Sequence, residues 1–269
     1  MRLQIKRLWS QIIFVIGTNL AALGIKTGFC YPFFYCHACP AASGACPLRA
    51  IEKSFYDHSF DWKLLLYPVL LLGFVGSISG RAVCGWACPI GFLQRGTGNI
   101  ARKIRKNPIA TKIGQLRIEP FFRYIKYILL IGLVVVTPYF INFMFTDVCP
   151  VGMLVGTYPL LIVYPGKFIP NQFYIYALVI FILFIILIFI IERGWCRYFC
   201  PIGAILAPFN KVSLIKVSVN KDECIHCNIC STVCPMGIDV PNMNRDPECI
   251  LCGKCVEKCP KNVVRFERI

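Results

Sequence analysis

The chain has 269 residues, of which 57% are hydrophobic and 16% charged, with a formal net charge of +16 and 17 cysteines. So small a charged share excludes an ordinary soluble composition and is that of a membrane protein. The basic excess sits in short segments flanking apolar runs, which points to an anionic lipid surface and not to nucleic acid.

Four stretches without a charged residue, Leu8–Ile25, Leu64–Gly80, Tyr127–Thr146 and Phe168–Ile191, are predicted as transmembrane helices. Each suits a hydrocarbon core roughly 30 Å thick. The first follows a basic start, but no cleavage site with a soluble mature domain comes after it, so it is expected to be a retained span. Basic residues gather at Arg2, Lys6 and Arg7 and again between the second and third runs, from Arg81 and Arg95 to Lys126. The positive-inside rule then expects a multi-pass protein of the cell membrane with both termini in the cytoplasm.

The loop after the first run, GFCYPFFYCHACPAASGACP, carries Cys30, Cys36, Cys39 and Cys46, and no charge lies between Lys26 and Arg49. The loop after the third run contributes Cys149 and is also uncharged. Such loops are expected to fold back toward the membrane under cover of the helices, since lipid does not tolerate unpaired backbone groups. Seventeen cysteines make four sets of four with one over. The reading is a cluster held by Cys36, Cys39, Cys46 and Cys149 with Cys30 spare; one or two disulfides are the alternative if that side is oxidising.

RAVCGWACPIG, residues 81–91, and RGWCRYFCPIG, residues 193–203, align without gaps at an offset of 112. Each follows an even-numbered run, so the membrane part reads as two pseudo-symmetric halves. Cysteines four apart share one helix face, and the proline after the second opposes continued helix there. Two such units could bring Cys84, Cys88, Cys196 and Cys200 together around a further metal centre; a redox-active dithiol pair or buried structural thiols are the alternatives. Arg81 and Arg193 are placed to offset the charge of a cluster with its thiolates, or to anchor at the membrane interface. Trp86, Trp195 and Tyr198 could flank a quinone or belong to an interfacial aromatic belt.

At the C-terminus CIHCNICSTVCP and CILCGKCVEKCP repeat one pattern 25 residues apart. This is the cysteine run that holds [4Fe-4S] clusters in two-cluster bacterial ferredoxins, where the fourth cysteine of each run serves the other cluster. The expected sets are Cys224, Cys227, Cys230 and Cys259, and Cys249, Cys252, Cys255 and Cys234. Zinc is the competing occupant, but it has no need of eight cysteines in two identical runs. His226 reads as a spacer or tuning residue within a ligand loop. Some fifty residues are too few for a large apolar core, so clusters are expected to hold this domain together.

The fold class is therefore an α-helical integral membrane domain of four spans, residues 1–210, with a small α+β two-cluster ferredoxin-like domain, residues 211–269. The two CxxxCP motifs, written CGWACP and CRYFCP, and the terminal ferredoxin with CPMGIDVP resemble the NapH/NosR family of membrane-bound ferredoxins. That resemblance implies electron transfer between a membrane quinone pool and partner redox proteins. The expected role is a relay between quinol, or another outer-side donor, and a cytoplasmic redox partner or larger oxidoreductase complex. No residue is assigned to chemistry on a substrate. A metal-reducing or oxidase-assembly factor and a membrane-anchor subunit are the alternatives. His37, His58 and His226 all fall outside the runs, so no b-type haem is expected within them.

Overall fold

The computed structural model describes residues 2–19, 46–56, 60–105, 119–163 and 173–268. Cys30, Cys36, Cys39, His37 and His58 lie outside them, as do the end of the first predicted span and the start of the fourth.

Helix α1 covers Arg2–Asn19 and α2 covers Pro47–Ser54. Proline opens α2 where its missing N–H goes unused, and Cys46 stands at the cap. Helix α3, Trp62–Ser79, is capped by the Asp61 carboxylate, which accepts from the Lys63 amide at 3.0 Å. It ends at Gly80, at φ 54°, where a Cβ would stand 2.2 Å from Asn210 Oδ1, so both the backbone and the contact call for glycine.

A short helix, α4 (Ala82–Trp86), and a 17-residue helix, α5 (Pro89–Arg105), follow α3. Helix α6 runs over Ile125–Phe140, with a π-helical middle at Leu130–Val136. The unit then recurs: α7 is Tyr174–Ile190, α8 Gly194–Tyr198 and α9 Pro201–Leu206. Each begins 112 residues after its counterpart α3, α4 or α5, so the motif repeat is a repeat of structure. The expectation that the paired cysteines share a helix face is corrected. Cys84 and Cys196 lie inside α4 and α8, whereas Cys88 and Cys200 lie beyond them, each just ahead of the proline that opens the next helix.

Among the described residues one helix, α3, is long and apolar enough to cross a membrane; α6 and α7 are shorter apolar helices. The third apolar run is one uncharged stretch in sequence, yet its helix ends at Phe140, close to Asn142 in the left-handed region at φ 55°.

The C-terminal part is an antiparallel ribbon of β1 (Ile215–Val219) and β2 (Val264–Arg268), pairing Ile215 with Arg268 and Val219 with Val264. Between the strands stand α10, Ile229–Thr232, and α11, Lys254–Lys258, offset by the same 25 residues as the cysteine runs. The backbone repeats as well: His226 and Leu251 share a left-handed conformation, as do Asn228 and Gly253. A leucine does in one run what the histidine does in the other, which makes His226 a turn residue.

One hydrophobic core runs from Leu48 and Phe145 through Leu72, Phe184 and Ile188 to Ile238 and Ile250, joining the helices to the ribbon part. The outward faces of the helices are apolar too: Leu70 and Phe74 on α3, Ile128 and Ile131 on α6, and Ile175 and Leu183 on α7 are all exposed.

Candidate iron-sulfur sites

The described cysteines ring three cavities. One, of about 20 Å³, is lined by Cys224, Cys227, Cys230 and Cys259; a second, also about 20 Å³, by Cys234, Cys249, Cys252 and Cys255. Each set takes three thiols from one run and the fourth from the other, the crossed arrangement expected from the spacing.

The third cavity, about 60 Å³, lies among the helices. Cys84, Cys88, Cys196 and Cys200 line it, and so do Cys46 and Cys149, which the sequence placed in a separate outer group. Each of Cys46, Cys88, Cys149 and Cys200 immediately precedes a proline that opens a helix. The free amides of such a first turn point back at the sulfur: Gly91 N donates to Cys88 Sγ at 3.3 Å. Gln94 adds a side-chain bond, Nε2 to Cys196 Sγ at 3.2 Å.

The arginines are buried, Arg81 at 0% and Arg193 at 1% exposure, so the interface-anchoring alternative does not hold for them. Arg193 Nη1 donates to the Cys84 carbonyl at 3.0 Å, and Arg81 Nη2 to the Cys196 carbonyl at 3.1 Å. Each repeat's arginine thus holds the first cysteine of the other repeat. The glycine that ends each motif makes room for it. A Cβ on Gly91 would stand 2.6 Å from Arg193 Nη1, and one on Gly203 2.9 Å from Arg81 Nη2.

Burial raises the thiols of Cys84, Cys88 and Cys200 above their ordinary value, and neighbouring cysteines add to this at all three. A redox-active dithiol calls for the opposite shift. In this dry setting ionised thiols need cations. Arg81 Nε and Arg193 Nη2 are buried without a hydrogen-bond partner, which leaves donors for an anionic occupant beside the cavity.

Arg81 also reaches the ribbon part, donating to Glu248 Oε2 at 2.8 Å, while Lys126 pairs with the other carboxylate oxygen. Burial alone would raise the Glu248 carboxyl, but Arg81 and Lys126 more than offset it and hold it below the ordinary value.

Trp86 does not line this cavity; its Nε1 donates to the Leu251 carbonyl at 2.9 Å. Trp195 lines the cavity and stacks on Phe199, and Tyr198 packs edge-on against Phe122. Sequence reading missed Glu248, Lys126, Asn210 and Gln94, for which no motif spacing offers a signal. Among the described residues no three His, Cys, Asp or Glu side chains converge closely enough to hold a single ion. Thiols spread around a void instead form the donor set of a group with several metal corners, and four cysteines are what a [4Fe-4S] cluster takes.

Comparison with known proteins agrees. Residues 60–108 and 174–220 both match a 4Fe-4S binding domain family, and residues 216–260 match a 4Fe-4S dicluster domain family. An uncharacterised protein of Methanocaldococcus jannaschii is 30% identical over 242 residues, 89% of this chain and 85% of that protein. The ferredoxin-type protein NapH of Escherichia coli is 25% identical over 190 residues, 70% of this chain and 59% of NapH. The methylamine utilization ferredoxin-type protein MauN of Methylorubrum extorquens is 26% identical over 176 residues, 63% of this chain and 53% of MauN. The chain thus spans little more than half of either named relative. No solved structure matches it. With its doubled cysteine unit and its dicluster tail, the chain belongs to the NapH-like family of 4Fe-4S ferredoxin-type electron-transfer proteins.

Proposed function

We propose that the protein is an integral-membrane electron relay that carries electrons between quinol, or another donor at the outer side, and a redox partner docked at the ferredoxin part in the cytoplasm. The observation that carries this reading is the single cavity lined by thiols of both repeats together with Cys46 and Cys149. It makes Cys46 and Cys149 of the outer group neighbours of the inner cysteines within the helical part. Four helices cross the bilayer. The exposed apolar faces of α3, α6 and α7, with the charges of Arg81, Lys126 and Arg193 turned inward, support this.

In the ferredoxin part Cys224, Cys227, Cys230 and Cys259 hold one cluster and Cys234, Cys249, Cys252 and Cys255 a second. Cys84, Cys88, Cys196 and Cys200 hold a third. Cys46 and Cys149 join Cys36 and Cys39 on a fourth, and the greater volume of the shared cavity suits more than one group. When bound, [4Fe-4S] clusters supply reversible one-electron transfer. The residues around them set its terms. Arg81 and Arg193 place fixed positive charge beside the thiolates, Gln94 and the Gly91 amide donate to sulfur, and the apolar lining keeps water away.

Iron and acid-labile sulfide analysis of anaerobically purified protein tests the reading. About sixteen irons per chain support it, and about eight confine clusters to the ferredoxin part and overturn it. Amine labelling from each face of sealed vesicles tests the orientation, with the exposed Lys221 expected to react from the cytoplasmic face.

A further inference from the structure

The ferredoxin part touches the helical part through one of its two cysteine sets. Gly85, next to Cys84, lies so close to the Ile250 carbonyl that a Cβ would stand 2.3 Å from that oxygen and 3.8 Å from Cys252 Cα. In the other repeat the matching position is Arg197, so only the first repeat can accept this approach. Around it Trp86 donates to the Leu251 carbonyl, Gln4 to the Cys252 carbonyl at 3.0 Å, and Asn210 to the Cys249 carbonyl at 2.7 Å. Arg7, itself buried, donates to the Gly85 carbonyl at 2.7 Å and holds the far side of the contact. Glu248, one residue before Cys249, is gripped by Arg81 and Lys126 from the helical part. The core that contains Cys84 and Cys88 also contains Ile250 and Cys252, with Cys234 and Cys249 packed against it, whereas Cys224, Cys230 and Cys259 belong only to a second core, which Cys255 shares, and Cys227 is exposed.

We infer that Gly85 against Ile250–Cys252 is the electron hand-over junction between the two parts, with Glu248 as the positioning residue that seats it. This rests on the relay proposed above and fixes its order. One electron leaves the group held by Cys84, Cys88, Cys196 and Cys200, which is oxidised by one. The group held by Cys234, Cys249, Cys252 and Cys255 is reduced by one, and the Cys224 set follows as the port to the partner. No bond is made or broken and no proton moves at this step. Electrons flowing the other way take the same contact in reverse.

The test uses the full-length protein in detergent, with a pulse of a lipid-soluble quinol and rapid freezing, the centres followed by electron paramagnetic resonance. Signals are assigned from the Cys227→Ser and Cys252→Ser proteins. The Cys249 set is expected to reach its reduced level before the Cys224 set, and the opposite order overturns the inference. Gly85→Ala forces the Ile250 carbonyl away and is expected to keep its iron while slowing transfer into the ferredoxin part by roughly tenfold or more. Trp86→Phe and Glu248→Gln loosen the same contact with little change in side-chain volume. Both are expected to slow transfer in the same direction, with Glu248→Asp nearer wild type. Undiminished transfer in all three at wild-type iron content overturns the junction and leaves the wider relay standing. Loss of the membrane iron in the wild-type protein counts against the relay itself.

Discussion

Arg193 and Cys84, 109 positions apart in the chain, are joined by a 3.0 Å bond from guanidinium to backbone carbonyl, and Arg81 and Cys196 form its mirror at 3.1 Å. The R-x-x-C-x-x-x-C-P-I-G motif is therefore half of a contact that the other copy completes. A Cβ on Gly91 would meet both Arg193 Nη1 at 2.6 Å and the rigid Cys84 carbonyl at 2.7 Å, while one on Gly203 would meet Arg81 Nη2 at 2.9 Å and stand 3.5 Å from the Cys196 carbonyl. Gly91→Ala is expected to lose the membrane centre, about four irons per chain, with the ferredoxin centres kept. Gly203→Ala should lose less. Equal losses in the two proteins would show that the arginines do not set the room available.

A second expectation concerns potential. Arg193 is a buried cation beside thiolates, and reduction adds negative charge there, so its charge favours the reduced form. Arg193→Gln is expected to lower the midpoint of the membrane centre by on the order of 60 mV, about a tenfold change in a one-electron equilibrium. Arg193→Lys keeps the charge but not the planar fork and should fall between. Redox titration followed by magnetic resonance reads this directly; a midpoint that rises in Arg193→Gln would reverse the electrostatic argument.

The repeats at 112 and 25 residues were legible because spacing alone encodes them, and the cysteine sets of the ferredoxin part follow from the crossing rule of such runs. What spacing cannot encode is which distant groups meet. Nothing in CGWACP says that its glycine faces a carbonyl 165 positions later, or that its tryptophan clamps the next residue, Leu251. The outer and inner cysteines were read as two groups because apolar runs separate them in sequence. Cys46 and Cys149 line one cavity with the four inner cysteines because Cys-Pro steps open helices on both sides of it. The third apolar run read as one unbroken span because hydropathy does not register the left-handed turn at Asn142.

Glu52 carries a pH expectation. It is fully buried in α2, and its carboxylate accepts from the Thr146 hydroxyl and amide. Burial raises it from an ordinary 4.5 to about 8, opposed by the Thr146 bonds and by Arg49 and reinforced by Cys46. The folded chain therefore holds this proton more tightly than the unfolded chain does. Stability is full below about pH 4.5, declines as pH rises toward 8 and is flat above that, with a total loss of roughly a few kcal/mol. Glu52→Gln, which keeps the neutral shape, is expected to remove that part of the slope and to be the more stable protein at pH 9. Thermal midpoints of the two proteins in detergent between pH 5 and 9 check this, and parallel curves would mean that Glu52 stays ionised.

Asn210 links the two parts through both ends of its amide. Its Oδ1 accepts from the Arg81 amide at 2.8 Å, and its Nδ2 donates to the carbonyls of Asp246, Pro247 and Cys249, the last at 2.7 Å. Gly80 has no side chain to displace it. Asn210→Ala strands a buried amide on one side and carbonyls on the other, a destabilisation of about 1–3 kcal/mol that falls on the seam between the parts. Asn210→Asp keeps the acceptor, loses the three donations and sets a carboxylate against those carbonyls, so it should be worse than alanine. Limited proteolysis of native protein should then release a ferredoxin fragment faster in both variants, in the order aspartate, alanine, wild type. If the fragment appears at the wild-type rate in both, the seam is held by Glu248 and Trp86 without Asn210.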